Sequence, residues 1–97
     1  MAQTKLITGF AADTAKYLDT RGGVKDIVIS NIHTSTVKAS AFLSLPGAGD
    51  NTAFIVKDAV IPVGTSLYLQ VNMQARASKI GIQTPTASGI EVVYTIL

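Results

Sequence analysis

The stretch "TVKASAFLSL", residues 36–45, decides the fold class. Val37, Ala39, Ala41, Leu43 and Leu45 share one side of it, while Thr36, Lys38, Ser40 and Ser44 share the other, with Phe42 interrupting. Successive Cβ atoms of an extended chain point to opposite faces, so alternation of this length marks a half-buried strand. "TSLYLQVNMQ", residues 65–74, repeats the pattern with Leu67, Leu69, Val71 and Met73 against Ser66, Tyr68, Gln70 and Asn72. "GIEVVYTIL" carries Ile90, Val92, Tyr94 and Ile96 on one face and Glu91, Val93, Thr95 and Leu97 on the other, which suits a strand covered on both sides. "VKDIVISNIH" is apolar on both faces and belongs near the centre of a sheet.

Turn chemistry punctuates these runs. Arg21-Gly22-Gly23, Pro46 to Asn51, Pro62-Val63-Gly64 and Pro85 to Gly89 combine Gly, which supplies positive φ, with Pro, which presets φ near −65°. Pro62 has no N–H and cannot sit inside a central ladder, so "KDAVIPVGTSLYLQ" reads as strand, corner, strand, with Val60 and Leu67 or Leu69 sharing a core. "PTASG" resembles the loop of a closing hairpin, and Gly81 in "SKIGIQ" marks a bulge or a close backbone approach. "FAADTAKY" is read as irregular chain followed by a strand ending near Leu18.

Together these features predict an all-β chain, a single domain over residues 1–97. Its seven or eight short strands form an antiparallel two-sheet sandwich, jelly-roll or immunoglobulin-like. The Cys…Trp…Cys spacing of a true immunoglobulin domain is absent, since the chain has no Cys and no Trp.

Composition bounds the function. Apolar residues make up 47% of the chain, but charged residues only 14%, where about 25% is usual. A lone soluble domain keeps roughly 25–35% of its surface charged. The shortfall predicts a surface largely covered by other protein, the alternative being one kept wet by hydroxyls and amides. The net charge of +2 comes from basic residues that are never adjacent, so no stripe follows a phosphate backbone and nucleic-acid binding is not expected. No run of eighteen apolar residues occurs, so no membrane span is expected. "MAQTKLITGFAADTAKY" is too short and polar for a secretory signal, and synthesis in a cytoplasm without standard export is expected.

Catalytic constellations are thin. His33 is the only histidine; a Ser/His/Asp arrangement around it lacks a G-x-S-x-G elbow, and one His without Cys builds no zinc site. The carboxylates Asp13, Asp19, Asp26, Asp50, Asp58 and Glu91 sit in turns or at strand ends. Asp50 and Asp58 would approach each other if residues 52–57 form a strand, the one candidate glycosidase-type pair. "PGAGDN" offers Asp50 and Asn51 but too few oxygens for calcium and no helix for a phosphate. No enzyme, cofactor or metal is expected. Among Tyr17, Tyr68 and Tyr94, Tyr94 falls on a core face, and Tyr68, among polar residues, is the exposed platform a carbohydrate-binding module would use.

The order of segments resembles small β-sandwich virion proteins of tailed bacteriophages, of the decoration, neck or tail accessory type. A Gly-containing turn leads into "VKDIVISNIHTSTVKASAFLSL", an IP-x-G-x-S/T-L corner follows in "IPVGTSL", and a late hairpin closes on "GIEVVYTIL". The resemblance covers about residues 15–97 and departs at "TRGGVK", where such proteins carry a Pro-Ala-Gly type turn. It implies a non-enzymatic virion subunit that oligomerises or decorates the particle, with capsid decoration preferred over a neck or tail place. Its partners would be copies of itself and other virion proteins, met through apolar area and strand edges. It transfers no functional residues.

Overall fold

Strand pairing follows a single rule in this chain: each strand pairs with the one whose number completes nine. The computed structural model describes residues 3–18, 23–44, 52–73 and 79–96, which form β1 (Gln3–Ile7), β2 (Lys16–Tyr17), β3 (Val24–Asn31), β4 (Val37–Ser44), β5 (Thr52–Ile61), β6 (Ser66–Met73), β7 (Lys79–Gln83) and β8 (Ile90–Ile96). β4 pairs with β5, β3 with β6, β2 with β7 and β1 with β8, all antiparallel. Two further ladders, β3 with β8 and β4 with β7, roll this long hairpin into two sheets. Sheet I has the order β1-β8-β3-β6 and sheet II the order β2-β7-β4-β5. That is the eight-stranded jelly roll, one of the two sandwiches the sequence allowed; the immunoglobulin order, with its first two strands adjacent, is excluded. No helix occurs among the described residues.

Only β4 and β5 form a hairpin of neighbours in sequence; every other connection crosses between sheets. Two expectations are corrected by this. The 84–89 loop is not a hairpin loop but a crossover from β7 in sheet II to β8 in sheet I. The Pro62–Gly64 corner likewise carries the chain from β5 to β6, with Gly64 at φ 76 and Thr65 N–H and Oγ1 both donating to Pro62 O. Val60 faces solvent there, and Ile61 enters the core instead.

The core lies between the sheets. Val24, Ile27 and Ile29 of β3 and Ile90, Val92, Tyr94 and Ile96 of β8 meet Val37, Ala39 and Ala41 of β4 and Ile80 and Ile82 of β7. Each branched side chain fully removed from water contributes about 1.5–3 kcal/mol. Small alanines on β4 opposite isoleucines let the layers interdigitate. Phe10, in the crossover from β1 to β2, closes one end of the core, and Ser88 N–H donates to its carbonyl at 2.8 Å.

Asn31 and Thr84 are the buried polar side chains of the described residues. The Asn31 amide donates to Ile61 O at 2.8 Å and Ser35 O at 2.9 Å, and its Oδ1 accepts from His33 N–H at 2.7 Å. Thr84 Oγ1 donates to Lys38 O at 2.7 Å. Both hold crossovers onto neighbouring strands, satisfying groups that would otherwise be buried unpaired.

Candidate interaction surfaces

Register places one apolar row across the outside of each sheet. On sheet I, Leu6 of β1 lies opposite Val93 of β8, Val93 opposite Val28 of β3, and Val28 opposite Tyr68 of β6. The two end members stand in the open, Leu6 at 60% and Tyr68 at 57% exposure. On one side of this row run Thr4, Thr95, Asp26 and Gln70; on the other run Glu91, Ser30 and Ser66. Ser30 and Ser66 join through their hydroxyls at 2.9 Å. The Tyr68 hydroxyl donates to Asp26 Oδ2 at 3.4 Å. Partial desolvation, and secondarily the Asp26 charge and hydrogen bond, hold the Tyr68 phenol above its ordinary pKa.

On sheet II the row is aromatic. Tyr17 of β2 pairs with Gly81 of β7, Gly81 with Phe42 of β4, and Phe42 with Phe54 of β5. A Cβ on Gly81 would overlap the Phe42 ring, which lies in the space the missing side chain leaves. Phe42 is thereby only 6% exposed although it points outward, and it meets Tyr17 and Phe54 edge-on at 6.0 and 6.1 Å between ring centres. What approaches Gly81 is thus an aromatic side chain, not the neighbouring backbone or a bulge that the sequence suggested, and it also explains why Phe42 breaks the alternation of its strand. Lys79 Nζ lies 5.8 Å from the Tyr17 ring and Lys57 Nζ 5.2 Å from the Phe54 ring, a cation at each end.

Beside Phe54 the edge strand bulges. Ala39 and Ala41 of β4 oppose Ala59 and Val56, leaving Lys57 and Asp58 as the extra length, with Asp58 at φ 52 and its N–H donating to Ser40 Oγ at 2.9 Å. The bulge borders a shallow depression of about 220 Å³ lined by Asp13, Ser40, Phe54, Lys57, Asp58 and Gln83. That is below the ~300–1,000 Å³ of ordinary small-molecule pockets. Asp58 shares the lining of this depression with Asp13; the expected approach of Asp50 to Asp58 rests on Asp50, which with Asn51 and Asp19 lies outside the described residues. Sequence reading missed Asp13 because nothing in the spacing of a turn residue reveals the strand it will sit beside.

The other candidates separate. His33 follows β3, and its Nδ1 accepts from Ser35 N–H at 3.3 Å and lies 3.0 Å from Ser35 Oγ, closing a local turn. Tyr94 is buried and Tyr68 and Tyr17 are exposed. Among the described residues no cluster of His, Asp or Glu could hold a metal ion, and no helix is long and apolar enough to cross a membrane.

All four edge strands carry a device against further pairing. β1 turns Lys5 to the inward, half-buried side; β2 has two residues; β5 bulges at Lys57–Asp58; and β6 shifts register near Asn72, at φ 46. The broad faces, not the edges, are what this fold leaves open.

No protein-family model matches the chain, and no curated protein or solved structure matches it either.

Proposed function

We propose that this chain is a non-enzymatic structural subunit of a tailed-bacteriophage virion, a jelly roll that oligomerises or decorates the particle and stabilises it. Capsid decoration is the preferred place, ahead of neck or tail. The observation that carries the reading is the pair of outward-facing apolar rows, Leu6-Val93-Val28-Tyr68 and Tyr17-Phe42-Phe54, each spanning its sheet and exposed at its two ends. With 14% charged residues, such faces keep little ionic cover and are suited to burial against other subunits. The jelly roll is an architecture of capsid proteins, a likeness that speaks for the reading by analogy only, since the same fold serves lectins and cupins. The test is light scattering after size exclusion, joined to co-sedimentation with heads and tails of the phage that encodes the chain. Association with itself or with either particle is expected; a monomer indifferent to both overturns the reading.

Carbohydrate binding is the second reading. It is favoured by Tyr68, exposed on a sheet face with the Asp26 carboxylate against its hydroxyl. Glycan-array binding lost in Tyr68→Ala, with the mass in solution unchanged, would select it; no glycan bound by the native chain removes it.

A further inference from the structure

We propose that copies of this chain stack face to back, the outside of sheet I on one copy seated on the outside of sheet II on the next. The inference rests on the assembly reading above and supplies its geometry.

The two apolar rows are similar in length and opposite in the charge that flanks them. On sheet I, Asp26 lies one row to one side and Glu91 one row to the other. On sheet II, Lys79, opposite Ser44, lies one row to one side of Phe42, and Lys57, in the bulge that faces Ser40, lies to the other. Four strand residues separate the flanking rows in each sheet, about 14 Å at roughly 3.4 Å per residue. Laying one row over the other brings the two acidic flanks over the two basic ones at matching spacing along the strands, although Asp26 and Glu91 stand on adjacent strands and Lys79 and Lys57 stand with β4 between them. Lys25 beside Asp26, and Asp58 and Asp13 beside Lys57, reduce the contrast, while Lys38, outward on β4 opposite Val60, adds a cation to sheet II; the apolar rows therefore supply affinity and the net charges supply orientation.

The symmetric alternatives are disfavoured by the same groups. Two copies of sheet I would oppose Asp26 and Glu91 to each other, and two copies of sheet II would oppose Lys57 and Lys79. Like charges across a closed interface cost affinity, and the face-to-back contact has less of this repulsion because each face carries an excess of the opposite sign. Size permits it, for a broad face measures 37 × 33 Å and a standard interface takes about 800 Å² from each partner. A contact between two different faces leaves one of each free, so it propagates into a ring or a stack instead of stopping at a pair.

Sedimentation velocity of the full chain tests this across a concentration series at low and high salt. The native chain should grow beyond a dimer, less so at high salt. Asp26→Lys with Glu91→Lys makes both faces basic; Lys57→Glu with Lys79→Glu makes both acidic. Each double variant should associate about tenfold more weakly or worse, and an equimolar mixture should recover association because each now complements the other. Tyr68→Ala and Phe54→Ala, both at exposed positions, should each weaken it while leaving the circular dichroism spectrum unchanged. Double variants that associate like the native chain, a mixture that stays apart, or a native assembly that stops at a dimer overturns the face-to-back contact. A native chain that stays monomeric but binds phage particles also overturns it and leaves the assembly reading standing. A monomer indifferent to particles ends both.

Discussion

On the outside of sheet I four strands each give one apolar side chain to the row. On sheet II one strand gives only Gly81, and the Phe42 ring folds down into the vacancy, tying Tyr17 and Phe54 to itself. The first row has no gap for a neighbouring ring to fill, since every strand supplies a side chain. The second is a keyed set in which a glycine on one strand fixes an aromatic on the next. A surface row of the second kind adds to fold stability as well as offering a docking face, so substitution there should affect both.

The largest effect that separates the two faces is expected at Phe42. Phe42→Ala removes a ring that is 6% exposed and should cost about 3 kcal/mol, near the lower limit for buried Phe because one side faces outward. Tyr68→Ala, its counterpart on sheet I, should cost under about 1 kcal/mol, as a substitution at an exposed site. Urea unfolding followed by circular dichroism measures both; equal losses would erase the distinction.

Gly81→Ala comes next. The added Cβ overlaps the Phe42 ring, and displacing that ring should cost about 2 kcal/mol. The backbone of Gly81 is not among the glycines at positive φ, so the ring is the obstacle. In a Phe42→Ala background the same substitution should be nearly neutral, a coupling that a double-mutant cycle reads directly. Additive losses would mean that glycine and ring act separately.

That keyed pair shows how far the sequence could be read. The interruption at Phe42 and the unusual glycine at 81 are each visible in the chain, but only register brings them together, and register depends on pairing between strands far apart in sequence. The strands of "TVKASAFLSL" and "TSLYLQVNMQ" were legible because alternation is a local property of extended chain. Their partners were not. Neighbouring strands pair or lie side by side about two-thirds of the time, and that default turns Thr84–Gly89 into a hairpin when it is a crossover. Val60 and Ile61 are both β-branched, so period two alone cannot choose which faces in; pairing of Val60 with the exposed Lys38 decides it. The outer rows, and with them the candidate surfaces, were hidden for the same reason, since each is assembled from separate strands.

A smaller difference lies at the strand edges. Ser40→Ala removes the acceptor for Asp58 N–H in the β5 bulge and should cost about 1 kcal/mol, concentrated in faster amide exchange at Asp58 and Ala59. On sheet I, removing the Ser30–Ser66 contact with Ser66→Ala should cost less, because exposed hydroxyls regain water. Equal exchange in both variants would show that the bulge is held by its backbone alone.

The finest probe of sheet I is the phenol of Tyr68. Its pKa is raised above 10.0, first by desolvation and then by Asp26, so the folded chain holds that proton more tightly than the unfolded chain does. Any stabilisation from this source is complete below the ordinary phenol value and is lost as pH rises through the folded one. Asp26→Asn removes the charge but not the desolvation. Ultraviolet titration of the Asn variant should therefore place Tyr68 lower than in the native chain yet still above its ordinary value. An unchanged titration would mean that the carboxylate does not act on the hydroxyl. Asp26 would then be free to meet a cation from another copy, and the charge flanking the sheet I row would be stronger than the hydrogen bond implies.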